Sequence, residues 1–162
     1  AERFSNTGID LRGNYDILNL TQPSLVSSVH ESYIKAGADI ITTNTFSSTQ
    51  IAQAEYQMDE HVQEMNYVGA SLAYEVVRQA EKRDGRSRWV AGSLGPTNKT
   101  ASMASDVNNP GQRDVSFNEL RAAYEMAALA TETAEEVAPE MVKFQKTLQT
   151  VSRVDNLLSR LA

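Results

Sequence analysis

Two short segments of the chain combine side chains and backbone that could bind a small polar molecule. The first covers residues 42–46 (TTNTF), in which Asn44 offers hydrogen-bond donors and an acceptor while Phe46 offers a flat apolar surface. Together these groups could orient a small amino acid. The same residue types allow a second interpretation, in which Asn44 or a threonine caps the following helix and Phe46 lies in the core.

The second segment, residues 92–100 (GSLGPTNKT), has a backbone that a ligand could approach closely. Gly92 and Gly95 leave room for such an approach, and consecutive amide donors in a turn of this kind can receive a carboxylate. The glycine spacing differs from that of a phosphate-binding loop. Lys99 could add a positive charge or simply solvate the loop, and a structural turn without a ligand is a comparable interpretation.

Other residue types that often carry chemistry are scarce. The two histidines, His30 and His61, lie on predicted helices without metal-type spacing, so we expect them at the surface or in packing contacts. The chain contains no cysteine, which excludes disulfides and any metal site built from this chain's thiolates. We therefore predict no catalytic residue and no metal ligand in the chain.

Short apolar runs precede both candidate segments and indicate buried parallel strands that open into loops, at residues 39–41 and 89–92. Before the first strand, a helix is predicted with Thr21 as its cap, Pro23 in its first turn and Gly37 as its stop. Residues 48–82 form either one long helix or two abutting helices. The order helix, strand, helix, strand predicts an α/β protein with parallel strands.

The second half of the chain departs from this alternation. Residues 100–118 are polar and predict a surface loop, after which Ser116 caps a helix with Glu119 at the capping-box position. No further apolar strand follows, and Pro139 begins a last helix with one narrow apolar stripe. We interpret the stripe either as packing on the chain's own helices or as a surface that docks onto a partner; its residues are Met141, Phe144, Leu148, Val151, Val154, Leu158 and Leu161.

Composition excludes several classes of partner. The 162 residues carry a net charge of -6, which repels nucleic acid, so we predict no nucleic-acid partner. No apolar run approaches the ~20 residues of a transmembrane helix, so we predict no transmembrane segment. Because the chain begins with Ala1, we expect a processed product or an internal piece of a longer protein.

Longer motifs occur in a recognisable order across residues 3–124. They are GNYDILNLTQPSLV, GADIITTNTFSST with IAQAEYQM, and WVAGSLGPTNKTASMASDVNNP with VSFNELRAAY. These motifs resemble the homocysteine-binding domain of cobalamin-dependent methionine synthase. The resemblance implies a helix-rich α/β fragment of a (β/α)8 barrel, with two parallel strands in residues 1–130 and a long amphipathic helical extension in residues 131–162.

The resemblance also implies where a substrate would bind. In that family homocysteine binds at the carboxyl ends of barrel strands, zinc held by three cysteines activates its sulfur, and methylcobalamin on another domain supplies the methyl group. The positions that match substrate-binding segments are Asn44, Thr45, Phe46, Gly92, Ser93, Gly95, Pro96 and Thr97. The family's opening strand and zinc ligands are missing, so we expect no cofactor in this chain itself.

Two functions are compatible with these features, and enzymatic activity is left open. The first is a fragment or relative of methionine synthase that binds homocysteine, is inactive alone and needs other chains to complete its fold. The alternative is a non-enzymatic subunit of a larger assembly that docks through the C-terminal helix; a weaker third is an amino-acid sensor. By family we expect a cytoplasmic protein, or an organellar one after removal of a targeting segment.

Overall fold

The computed structural model describes residue 4, residues 8–102 and residues 108–136. The predicted final helix and its docking stripe lie outside the described residues. Within them the elements are α1 (Leu18–Thr21), α2 (Pro23–Lys35), β1 (Ile40–Thr42), α3 (Gln50–Gln53), α4 (Val62–Asp84), β2 (Trp89–Ala91) and α5 (Phe117–Glu136). Two 3-10 turns, Ala54–Tyr56 and Asp59–His61, lie between α3 and α4.

The two strands form a parallel pair, as the order of elements predicts, with Ile41 opposite Val90. Ile41 and Val90 are buried in a core that includes Ala73 and Val77 of α4, where apolar burial stabilises the sheet against the helix. Side chains of a strand alternate between faces, and the neighbouring Ile40 is 60% exposed. The helices therefore cover one face of the sheet and leave Ile40 on the other.

Helix α2 begins later than predicted, and the predicted capping role of Thr21 is wrong. The residue before the helix is Gln22, and no side chain caps that end. Thr21 instead ends α1, where its hydroxyl donates a hydrogen bond of 3.1 Å to the Ile17 carbonyl. A threonine in the last turn of a helix can bond back to the preceding turn in this way, so its hydroxyl serves α1.

The helical region after β1 consists of separate pieces and not one continuous helix. Gln57 has a positive φ of 52° and ends the first 3-10 turn. The left-handed residue turns the chain so that Met58 enters a second core cluster with Phe4, Ile17 and Met65. Burial of Met58 offsets the strain of a non-glycine residue in this conformation.

Helix α5 begins with the predicted capping box. The Ser116 amide donates to Glu119 Oε2 at 2.7 Å, and the Glu119 amide donates to Ser116 Oγ at 3.2 Å. The helix then continues without interruption to Glu136, and Ala134 joins the main core. The expected division between residues 130 and 131 therefore falls inside a helix that packs on the rest of the fold.

Among the helices in the described ranges, none is both long and apolar enough to cross a bilayer.

Candidate functional site

A ring of hydrogen bonds joins the carboxyl ends of the two strands. The Thr45 hydroxyl donates to the Ser93 carbonyl at 2.9 Å, and the Ser93 amide donates to Thr43 Oγ1 at 2.9 Å. The hydroxyls of Thr43 and Thr45 are 2.6 Å apart, which leaves Thr43 as the donor between them. Each hydroxyl thus donates once and accepts once, and the two candidate segments are fixed against each other.

Asn44 lies beside this ring and is held by Asn19 of α1. The buried Asn19 side chain donates to the carbonyls of Asn44 and Met65, at 2.8 and 3.2 Å. In return, the side-chain nitrogen of Asn44, Nδ2, donates to Asn19 Oδ1 at 3.1 Å and to the Tyr15 carbonyl at 2.9 Å. Both donors of Asn44 are therefore engaged, and its Oδ1 is the atom suited to accept a hydrogen bond from a ligand.

Phe46 packs against the glycine loop that follows β2. The Gly95 amide donates to the Phe46 carbonyl at 2.9 Å, and a Cβ on Gly95 would lie 2.8 Å from two carbons of the Phe46 ring. From α5, the Tyr124 hydroxyl donates to the Gly95 carbonyl at 3.0 Å. Since Phe46 is 57% exposed, the interpretation that places it in the core is wrong.

Two further sequence interpretations change with this geometry. The amides of Ser93 and Gly95 already donate within the protein, so the expectation that this turn offers them to a carboxylate is wrong for those two groups. The cap of α3 is Thr49, whose Oγ1 accepts from the Ala52 amide at 3.3 Å. Asn44 is therefore not the cap of the helix that follows β1.

A second layer of buried polar residues supports the strand ends from the N-terminal segment. Asp16 Oδ2 accepts from the Ser47 amide at 2.6 Å; burial raises the pKa of Asp16, and this hydrogen bond opposes the rise. Gln53 Nε2 donates to Asn14 Oδ1 and to the Ser47 carbonyl, at 3.2 and 3.1 Å. These contacts fix the backbone that follows Phe46.

The supporting residues Asn14, Asp16, Asn19 and Gln53 were not predicted from sequence. Their long-range partners lie 25 to 46 residues away, whereas the contact of Gln53 with the Ser47 carbonyl spans 6 residues. The only local signal is the polar turn before α1, which does not show that its side chains are buried. Their role follows from tertiary contacts and not from any short motif.

The eight predicted substrate-binding positions separate into accessible and buried groups. Phe46 and Pro96 are exposed, whereas Thr45 is 1% exposed and Gly95 is also buried. Asn44, Gly92, Ser93 and Thr97 are half-buried, and the Thr97 hydroxyl donates to the Lys99 carbonyl at 2.7 Å. The patch that a ligand could reach therefore centres on Asn44 and Phe46.

The residues of this chain do not fit a thiolate zinc site. The sequence has no cysteine, and the described part of the chain has no group of three or more histidine, cysteine, aspartate or glutamate residues placed to hold a metal ion. His30 is buried in α2, and the His61 ring lies 5.1 Å from that of Phe4. A thiolate zinc therefore cannot be assigned to this chain's residues.

Fold and site together define an α/β domain with a polar patch at the carboxyl ends of two parallel strands. This edge is where open α/β sheets and barrels place their ligands. The family model of homocysteine S-methyltransferase matches residues 2–156, and the chain belongs to this family. The matched range extends beyond residue 124, where the sequence motifs end, and includes most of the expected extension.

Similar solved structures include the homocysteine methyltransferase MmuM from Escherichia coli in metallated and oxidized forms. Each has a TM-score of 0.60, 22% sequence identity and coverage of 79% of this chain. The chain spans 46% and 45% of the length of those two structures. At 22% identity the likeness establishes the fold alone. The part that matches covers less than half of the E. coli protein.

Proposed function

We propose that the chain supplies a homocysteine-binding part of a methyltransferase related to cobalamin-dependent methionine synthase. The observation that carries this proposal is the hydrogen-bonded ring that fixes the two strand ends and places Phe46 against Gly95. A rigid patch of this kind orients a substrate at little entropic cost. Family membership supplies the substrate class.

In this proposal the accessible side chains contact the amino acid. Asn44 Oδ1 accepts a hydrogen bond from the substrate ammonium, and the Phe46 ring packs on its methylene groups. Thr45 and Gly95 keep the loops in register, while Gly92, Ser93, Pro96 and Thr97 shape the rim. These roles bind and orient homocysteine without changing its chemistry.

The methyl-transfer step needs groups that this chain does not contain. Zinc and methylcobalamin are the cofactors of the family that we propose, and thiolates for zinc would have to come from other protein segments. We therefore propose that the chain alone is inactive and that these segments complete the barrel around it. The cytoplasm is the location proposed from the family, and an organelle is the alternative.

Isothermal titration calorimetry with homocysteine, with and without zinc, tests the binding role. Phe46→Ala should weaken binding by about tenfold because an apolar contact worth roughly 1.4 kcal/mol is lost. Phe117→Ala is the matched control, since Phe117 is similarly exposed but lies at the start of α5. An absence of homocysteine heat in every condition, or equal losses in both variants, contradicts the proposal.

A second candidate is a non-enzymatic subunit that docks through the C-terminal stripe. The absence of cysteine from the sequence favours it, because such a role needs no thiolate metal. If it is right, Leu148→Asp and Val151→Asp should each abolish co-purification with the assembly, since a charge in an apolar interface is strongly destabilising. Association that survives both changes counts against this function.

A further inference from the structure

Tyr124 of α5 contacts the candidate site without being one of its predicted residues. Its hydroxyl donates a hydrogen bond of 3.0 Å to the Gly95 carbonyl, 29 residues away in the sequence. The tyrosine is half-buried, whereas Phe117 at the start of the same helix is 58% exposed. A tyrosine hydroxyl in partly buried surroundings usually has a hydrogen-bond partner, and here that partner belongs to the glycine loop that follows β2.

Helix α5 is a firm support for the Tyr124 side chain. Its buried face is built largely from small residues at spacings of three and four, which are Ala123, Ala127, Ala130 and Ala134. Small side chains let a helix approach its neighbours closely, and Ala134 belongs to the main core together with residues of α4. The capping box fixes the first turn of the helix. Tyr124 therefore reaches the loop from a helix that is packed along its length.

The backbone of Gly95 is held on both sides. The peptide bond between Gly95 and Pro96 has one hydrogen-bonding group, the Gly95 carbonyl, because proline has no amide hydrogen. That carbonyl accepts from Tyr124, and the Gly95 amide donates to the Phe46 carbonyl at 2.9 Å. Since Gly95 is buried, removal of the Tyr124 hydroxyl would leave this hydrogen bond unmade, and the loop would have to shift to replace it.

The orientation of the Phe46 ring depends on the position of Gly95. A Cβ on Gly95 would lie 2.8 Å from two carbons of the ring, so the ring packs directly on the glycine. Because Phe46 is 57% exposed, this contact is an important restraint on the ring. A shift of the Gly95 carbonyl would therefore change the apolar surface that Phe46 offers to a ligand.

We propose that Tyr124 is a positioning residue for the homocysteine site. Through Gly95, its hydroxyl fixes the loop on which the Phe46 ring packs, and the ring then presents a constant surface to the methylene groups of the substrate. A surface that is fixed before binding loses less conformational entropy when a ligand arrives. Tyr124 itself does not touch the substrate. The inference rests on the proposed function for the identity of the ligand, whereas the link from Tyr124 to Phe46 does not.

Tyr124→Phe tests this role because it removes the hydroxyl and keeps the ring. Tyr67→Phe is the matched control, since Tyr67 is a 38% exposed tyrosine of α4. The full-length chain is prepared with 4-fluorophenylalanine at its four phenylalanines, and the Phe46 resonance is identified by its absence from Phe46→Leu. Fluorine NMR of each variant without ligand reports the surroundings of the Phe46 ring. Isothermal titration calorimetry then reports the affinity for homocysteine.

We expect Tyr124→Phe to shift the Phe46 resonance and to weaken homocysteine binding by about threefold to tenfold, the effect of losing one ordinary hydrogen bond. Tyr67→Phe should match the wild type in both measurements. An unmoved Phe46 resonance in Tyr124→Phe overturns the proposal. A shifted resonance with unchanged affinity also overturns it, because the contact would then be structural alone. If the wild type gives no homocysteine heat, the proposed function fails, and the fluorine shift without ligand still decides whether Tyr124 holds Phe46.

Discussion

Asp16 shows how one buried carboxylate shapes the strand ends. It accepts a 2.6 Å hydrogen bond from the Ser47 amide, so Asp16→Ala removes the acceptor from a partly buried N–H. We expect that change to lower the free energy of unfolding by about 1–3 kcal/mol. Asp16→Asn keeps an acceptor oxygen without the charge, and it should leave the protein at least as stable as the wild type at neutral pH.

The pH dependence of this comparison follows from the raised pKa of Asp16. The folded protein holds the proton more tightly than the unfolded chain, so Asp16 contributes stability that is complete below its ordinary value of 3.8 and is lost as pH rises through the folded pKa. The advantage of Asp16→Asn over the wild type should therefore shrink as pH falls from neutral towards 3.8. Urea unfolding of the wild type and of Asp16→Asn across this pH range measures the difference in unfolding free energy. An advantage of Asp16→Asn that grows on acidification would contradict a raised pKa of Asp16.

Gly95 is a residue whose lack of a side chain decides the geometry of the site. A Cβ at this position would collide with the Phe46 carbonyl oxygen and ring, so Gly95→Ala should displace the loop and cost about 1–3 kcal/mol. Gly111→Ala is the matched control, because a Cβ there meets nothing within 4 Å. Thermal unfolding and homocysteine calorimetry should both detect Gly95→Ala, and a Gly95→Ala protein as stable as Gly111→Ala would refute the tight contact.

At the scale of elements, the start of α5 rests on a reciprocal cap. Ser116→Ala removes the acceptor of the Glu119 amide, and we expect a loss of about 1 kcal/mol in unfolding free energy. Ser116→Asp keeps an oxygen at the cap and should retain most of the stability. Chemical denaturation with tryptophan fluorescence suits this measurement because the chain has one tryptophan, Trp89. Equal stability of the alanine and aspartate variants would contradict the capping role.

Elements with strong local signals were predictable from the sequence, whereas buried polar contacts were not. The parallel strands and the capping box of α5 follow from apolar runs and from a serine and a glutamate at capping-box spacing. Two abutting helices were one of the alternatives for residues 48–82, but the position of the break at Gln57 was not predicted, because the apolar spacing continues across it and no glycine marks it. Asn19 resembles any polar residue of a short helix, and only tertiary contacts with Asn44 and Met65 reveal its role.

The same limit applies to the hydrophobic face of α2. Apolar residues recur at helical spacing along this helix, yet Val26 and Ile34 are buried in the core while Val29 and Tyr33 stay exposed beside β1. Periodicity shows which residues share a helical face without showing whether a neighbour is present to cover it. For the candidate site, the residues that hold the loops were found only from the fold.

For the molecule as a whole, self-association is the main expected liability, because the residues that the structure describes leave one face of the parallel sheet uncovered. Parallel sheets are normally covered on both faces, and exposed strand edges promote pairing between chains. Ile40→Thr keeps a β-branched side chain but removes apolar surface from the exposed face, so it should reduce concentration-dependent sedimentation and leave stability nearly unchanged. Analytical ultracentrifugation of the full-length chain provides the measurement.

Ile41→Thr is the matched change on the opposite face of the same strand. Ile41 is buried in the main core, so this variant should lose about 2 kcal/mol or more of unfolding free energy through lost apolar burial and a hydroxyl placed among apolar side chains. The contrast between adjacent positions separates an uncovered face from a generally unstable fold. If Ile40→Thr destabilises as much as Ile41→Thr, the face that carries Ile40 is already covered within the isolated chain, and no partner is needed to complete it.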